Sequence, residues 1–494
     1  MQGRKVYQEK LFVNFQLSDH VPEDNLYRRI LDLIDFDYLY KLTARYYGKE
    51  GQKSIDPVVF MKLMLVGYLE NINSDRRIIE VSKLRMDILF FLGYDLGEAL
   101  PWHSTLSRTR QLYGQEIFTA FFRDILSRCI DKGMLSGKRQ AVDGFFIKAN
   151  ASLDNMVRRD ILEDAERYRQ ELEENVEQIS PRTVELPKSN SRQHGGLPPK
   201  KNSTNATHVN PHDPEARISV KPGKPTALNY LGEVGVDTGS HIITHVEAFT
   251  AEQRDSQCFP KVLDNLIENL SMNGLEVQEV LADKGFSSGE ALGALEGHGL
   301  VGYIPNRGQF VFERPGFPYD IHTDSFTCPD GKRLTYRNTY RDGEYLNKHY
   351  RVSVKECSRC PLGKQCPVYS GGPRGGLIKE TVDRPLYERM HHRMQTKKAI
   401  RMMKIRQSTV EPVIGSLVSF FGIRKVNTIG LLQANKCITM SGAAYNLKKL
   451  TKYIRQNGKK ALAQTKKLLD TYFFEQIDGL LQLNQLMQRT IFLK

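Results

Sequence analysis

Apolar residues recur at helical spacing through the first 135 positions. In SIDPVVFMKLMLVGYL (54–69), Asp56 stands where an N-cap is expected and Pro57 at the first helical position. The stretch NSDRRIIEVSKLRMDILFFLGY (73–94) places Ile78, Ile79, Val81, Leu84, Ile88 and Leu89 on one face. QEIFTAFFRDILSRCIDKG (115–133) does the same with Ile117, Phe118, Phe121, Phe122, Ile125 and Leu126. Between these two lies PWHSTLSRTRQLYG (101–114), with Ser104 as a cap and Thr105, Ser107, Arg108 and Arg110 in the first turns. Short hydroxyls and arginines there suit contacts to phosphate and to a DNA groove. They suit a solvated helix face equally well.

From residue 138 the period changes. KRQAVDGFFIKAN (138–150) reads as a strand, and LGEVGVDTGSHIITHVEAFT (231–250) as two strands joined around Thr238, Gly239 and Ser240. A helix over about 256–270 follows, then the strand ending in VLADKGFSS, another helix, and a strand at VGYIPN. Three strands, a helix, a strand, a helix and a strand predict a mixed α/β sheet. Two insertions interrupt it, over about 153–228 and 306–380. The first opens with a highly charged helix and continues into a Pro-, Gly- and Asn-rich tract with the composition of a long loop. The expected domains are a helical one at 1–135, the sheet domain at 136–455, and a basic helical tail at 456–494.

Charge adds a partner to this picture. The chain carries a net +14 at neutral pH with a pI near 9.2, a bias towards polyanions and most simply nucleic acid. The basic residues are concentrated: KKAIRMMKIR (397–406) holds five Lys or Arg, and 448–467 holds eight without one acid. From the first group Lys398, Arg401, Lys404 and Arg406 are candidate DNA contacts, joined by Arg424 and Lys425 further on. No stretch reaches the roughly 18 apolar residues of a membrane span, and the first 20 residues lack the pattern of a secretory signal. The expectation is a cytoplasmic, nucleoid-associated protein with no membrane partner.

Two strands present acids in apolar surroundings. Asp143 sits between Val142 and the run Phe145, Phe146 and Ile147, and Asp283 follows Val280, Leu281 and Ala282. A buried charge is costly unless it is paired, hydrogen-bonded or metal-bound. A third acid, Glu411 in IRQSTVEPVIGSLVSFFGIRK, is expected at the head of an amphipathic helix capped by Thr409. Hard carboxylate ligands suit two Mg²⁺ or Mn²⁺ ions acting on a phosphodiester.

With these residues the chain resembles a DDE transposase of a bacterial insertion sequence, of the group with a ribonuclease-H-like catalytic domain. The resemblance rests on AVDGFFIKA, on DPEAR (213–217) ahead of GEVGVDTGSHIITHV, on VLADKGFSS, and on TVEPVIGSLVSFFGIRK closing with GAAYNLKKL. It covers roughly residues 10 to 450, HSTLSRTR included. It implies that Asp143, Asp283 and Glu411 are the catalytic metal ligands. It further implies double-stranded DNA as partner, at element ends and target, and a homodimer or higher assembly on it. Related transposases carry Tyr-x-x-Arg-x-x-x-Glu-x-x-x-x-x-x-Lys around the third acid; here those places hold Lys404, Gln407, Glu411 and Val418.

Four of the seven cysteines form the pattern C-x28-C-x2-C-x5-C: Cys328, Cys357, Cys360 and Cys366. Each of Cys328, Cys360 and Cys366 is followed by proline, which stiffens the turn. The arrangement suits a structural Zn²⁺ on four thiolates, with reduced free thiols or a redox pair as alternatives. His391 and His392 are neighbours on a helix, about 100° apart, and read as surface residues. A metal-dependent nuclease without strand transfer and a silent transposase-derived DNA-binding protein are the competing functions. The three acids speak against the silent protein, and the added domain and insertions against the simple nuclease.

Overall fold

A computed structural model describes residues 15–457 of the 494, except 49, 51–53, 175–203, 220–225, 308–313, 343–344 and 370–374. The Pro- and Asn-rich tract and nearly all of the basic tail therefore lie outside the described residues. The chain divides into two compact units: residues 136–415, and residues 1–135 together with 416–494. The segment from Ser416 onward thus groups with the N-terminal helices, whereas the sequence reading placed it with the sheet up to 455.

The helical unit is built around Pro57–Leu69. Asp56 caps it as expected, accepting hydrogen bonds from the Val58 and Val59 amides at 2.7 and 3.1 Å. Such a cap is worth about 1 kcal/mol. Phe60, Leu63, Leu65 and Val66 are all fully buried, so the helix is wrapped by its neighbours on every side. The periodic run 73–94 forms two helices, Asp75–Leu84 and Met86–Leu92. The break falls at Arg85, whose backbone is extended and whose guanidinium is held by Glu70 at 3.1 Å and Asp87 at 2.7 Å.

A buried ion pair joins two of these helices. Arg110, on His103–Leu112, donates to the Asp75 carboxylate at 2.5 and 3.1 Å and is only 4% exposed. The reading of Arg110 as a DNA contact is therefore overturned: its fork is spent on a carboxylate inside the unit. Ser104 is likewise not the cap, because the helix begins at His103; its hydroxyl accepts from Arg108 at 3.2 Å. The C-terminal segment docks onto the same place. Lys436, 1% exposed, donates to the Arg110 carbonyl at 2.8 Å, a cation at a helix C-terminus. Gln115 donates to Thr439 at 3.2 Å, and Asn71 accepts from the Gly422 amide at 2.9 Å.

In the second unit the central sheet follows the expected order: β1 (Arg139–Lys148), β2 (Ala227–Asp237), β3 (Ile243–Thr250), α1 (Asp255–Ser271), β4 (Glu279–Leu281), α2 (Gly289–Gly297) and β5 (Val301–Tyr303). Spatially the strands run β3-β2-β1-β4-β5, with a short strand Arg217–Ser219 also pairing to β2. β2 runs antiparallel to both β1 and β3, while β4 lies parallel to β1 and β5 parallel to β4. The DPEAR motif is structural here: Asp213 is fully buried and accepts from the Tyr230 hydroxyl on β2 at 2.5 Å.

The Cys-rich insertion is a second sheet of five short antiparallel strands over residues 319–381, which the sequence reading did not foresee as strands. It has its own core of Phe317, Phe326, Leu334, Tyr350, Val352 and Ile378. Helices α3 (Arg384–Met394) and α4 (Lys397–Phe420) follow. The expected helix head at Thr409 is corrected: α4 starts at Lys397 and runs through Pro412. Thr409 instead donates its hydroxyl to the Ile405 carbonyl one turn back, at 2.7 Å. Among the described residues no helix is long and apolar enough to cross a membrane.

Removing the Arg110 side chain leaves Asp75 without its principal partner. Arg110→Ala is expected to destabilise the protein by about 3 kcal/mol or more. Thermal or urea unfolding of the full chain measures this, and a loss well under 1 kcal/mol would show the pair to be dispensable.

Candidate active site

Strand register places the two aspartates side by side. Ala141 of β1 pairs with Leu281 of β4, and each acid lies two residues further along the chain. β4 stops at Leu281 while β1 continues to Lys148, so Asp143 stands in the notch left by the shorter strand. Asp283 turns into a short 3-10 helix and accepts the Gly285 amide at 2.6 Å. Asp143 accepts the Gly144 amide at 3.0 Å and pairs through Oδ2 with Arg406 of α4 at 2.9 Å.

Two acids that the sequence reading passed over join them. Glu233 of β2 pairs in register with Gly144 and is fully buried. Among the described residues no nitrogen donor reaches its carboxylate oxygens; its neighbour within hydrogen-bond reach is another acid, Asp255, at the first position of α1. Glu233 had the same signal that marked Asp143, an acid inside an apolar strand, in GEVGV. Asp255 carried only the ordinary look of an acid opening a helix.

The electrostatics follow from this crowding. Burial pushes the Asp143 carboxyl up to about 6; Arg406 opposes the rise, and Asp283 and Asp255 add to it. Burial and the carboxylates of Asp255, Asp143 and Asp283 hold the Glu233 carboxyl well above the usual range. The described groups thus form an oxygen-only, under-compensated anionic site, whose donors match a hard divalent cation. As they stand, no three His, Cys, Asp or Glu side chains among the described residues are drawn into a ready ligand set.

Glu411 is exposed on α4, five residues beyond Arg406 and so about 140° around the helix from it. The basic candidates on α4 divide. Arg401 and Lys404 are exposed, Lys398 is tied to Glu279 at 2.6 Å, and Arg406 faces Asp143 with its side chain 11% exposed. In the helical unit Ser104, Arg108, Arg424 and Lys425 are exposed, and Thr105 and Ser107 half-buried. The rings of His391 and His392 are 6.0 Å apart and inclined at 75°.

The four clustered cysteines line one pocket at the edge of the second sheet. The Lys332 amide donates to Cys328 Sγ at 3.3 Å, in a turn closed by Gly331 at φ +72°. The Gly376 amide serves Cys357 Sγ in the same way. Burial raises the Cys357 thiol, and Cys366, Cys328 and Cys360 raise it further, because all four sulfurs share one neighbourhood. Backbone amides aimed at sulfur are what a thiolate needs and a thiol does not, so the corner fits a thiophilic cation.

Two family models match the chain. A transposase domain (DUF772) matches residues 15–112, within the helical unit, and a transposase DDE domain matches residues 327–451. Both matches are to transposase domains, and together they support a DDE-type insertion-sequence transposase. No curated protein matches it. Among solved structures it is similar to a piggyBac transposase synaptic complex with hairpin DNA, at 9% identity and a TM-score of 0.33, over 88% of this chain and 75% of that one. It is also similar to a Mos1 transposase paired-end complex with the left transposon end, at 12% identity and a TM-score of 0.16, over 52% and 61% of the two chains. A Mos1 mariner paired-end complex with Mn gives 11% identity and a TM-score of 0.16, over 56% and 65%. Likenesses this low fix neither fold nor site.

The raised Asp143 carboxyl has a consequence for stability. The unfolded chain releases this proton near pH 3.9, whereas the folded protein holds it to about 6. Its stabilising contribution is therefore complete below about pH 4 and lost as pH rises through about 6. Asp143→Asn should raise the melting temperature at pH 8, with the gain shrinking between pH 6 and 4. At roughly 1.4 kcal/mol per pKa unit, a gain of about 1–3 kcal/mol is expected. A variant no more stable than the parent at pH 8 would contradict it.

Proposed function

We propose that this transposase binds the ends of its mobile element, cleaves phosphodiester bonds there by two-metal catalysis, and transfers the freed 3′ ends to target DNA. The observation that carries the reading is the pair of aspartates held at equal register in the notch beside β4, inside an anionic site with one guanidinium against it. We assign the sheet to the ribonuclease-H-like class on its strand order, with three antiparallel strands followed by two parallel ones.

Asp143 and Asp283 hold the ions, with Glu411 taking the third catalytic place on resemblance. Two Mg²⁺ or Mn²⁺ ions would activate the attacking oxygen and stabilise the leaving one. The chain itself fixes the positions: the Ala141–Leu281 pairing sets the spacing of the aspartates, and the Gly285 amide orients Asp283. Arg406 neutralises Asp143, and the exposed Arg401 and Lys404 on the same helix offer phosphate contacts. Arg108 and Ser104, with Thr105 and Ser107 beside them, form a separate DNA-reading face, and Arg424 and Lys425 add exposed positive charge. Cys328, Cys357, Cys360 and Cys366 hold a Zn²⁺ that fixes the corner of the second sheet. Paired ends call for a homodimer or a higher assembly on DNA, acting at the nucleoid.

Cleavage of a duplex carrying the element's end, with Mg²⁺ or Mn²⁺, tests the catalytic assignment. Asp143→Ala and Asp283→Ala should each slow it by about a hundred-fold or more and leave binding intact, since affinity rests on phosphate contacts and falls with salt. Full cleavage by Asp283→Ala would overturn the mechanism, and full cleavage by Glu411→Ala would remove the third ligand. Cleavage without joining of the 3′ ends to a target duplex would reduce the reading to a nuclease.

Metal analysis of the purified protein tests the cysteine corner. Bound zinc is expected, with the four thiols shielded from alkylation until a chelator is added. No zinc and four reactive thiols would remove it.

A further inference from the structure

We infer that Asp255 supplies a further carboxylate to the cation site of Asp143 and Asp283, an assignment that rests on the metal-dependent reading above. Two glycines make the room for it. A methyl group on Gly144 would meet Asp255 Oδ1 at 2.7 Å and Glu233 Oε1 at 2.9 Å. One on Gly285 would meet Asp255 Oδ2 and Asp283 Oδ1, both at 2.8 Å. The two oxygens of Asp255 therefore lie against the residue after Asp143 and the residue two beyond Asp283. A side chain at 144 or 285 would press the Asp255 carboxylate out of its present place.

Glu233 is a second, independent sign of uncompensated acid at that place. It is fully buried, no nitrogen donor among the described residues reaches its oxygens, and it lies within hydrogen-bond reach of Asp255 rather than of a lysine or arginine. Two buried acids facing each other must share a proton or a cation, and a divalent ion can take the place of that proton. Arg406 serves Asp143 instead. An acid in the first turn of a helix is also favoured by the helix dipole, but that role is indifferent to divalent ions.

Titration of the full-length protein with Mn²⁺ separates the two, read by calorimetry or by the loss of free Mn²⁺ paramagnetic signal. The parent should bind Mn²⁺, Asp283→Ala should lose it, and Asp255→Asn should bind about ten-fold more weakly or worse. Circular dichroism melts establish that each variant is folded. If Asp255→Asn does not fold, Gly144→Ala is read in its place, since its methyl would press on the carboxylates of Asp255 and Glu233. Parent-like Mn²⁺ affinity in the folded variant, with loss in Asp283→Ala, overturns the role of Asp255 and leaves the metal reading standing. A parent that binds no Mn²⁺ overturns both.

Discussion

The pairing of Ala141 with Leu281 is the constraint on which the catalytic unit depends. A parallel ladder two residues short of each aspartate brings the carboxylates of Asp143 and Asp283 to one level, and the early end of β4 opens the space in front of them. A slip of one residue would turn every side chain of β4 to the other face of the sheet. The fully buried Val280 and Leu281 hold the register against such a slip. Packing and chemistry are thus set by the same few residues.

The site is held in tension. Folding gathers Asp143, Asp283, Asp255 and Glu233 into one field, so the stability of the sheet is drawn down by the acids it positions. Arg406 relieves part of this through Asp143. A structure built only for stability would place apolar groups there, and the retained repulsion suits a protein whose site is completed by a cation.

Much of this was legible in the sequence. The strand and helix order of the central sheet follows from the switch between period two and period 3.6, and Asp143 and Asp283 stand out as acids where apolar residues belong. Other features were not legible, for identifiable reasons. Arg110 looked like a DNA contact because its partner, Asp75, lies 35 residues away on another helix. The head of α4 was misplaced because a threonine about three turns inside a helix looks in sequence like a cap. Asp255 gives no local signal, since its place between Gly144 and Gly285 exists only after three segments have folded together. The strands of the Cys-rich insertion were hidden by their polar, mixed composition.

That insertion leaves the central sheet after β5 and returns at α3, and its two ends are fastened to each other: Asn306 donates to the Tyr387 carbonyl at 3.1 Å, and the Ile304 amide reaches Met390 Sδ at 3.4 Å. Its core is internal to itself. A segment with adjacent ends and a private core can be lengthened, shortened or replaced at little cost in loop entropy to its host. In such a chain the central sheet and the appended one are free to diversify at different rates, one held by register and the other by its anchor points.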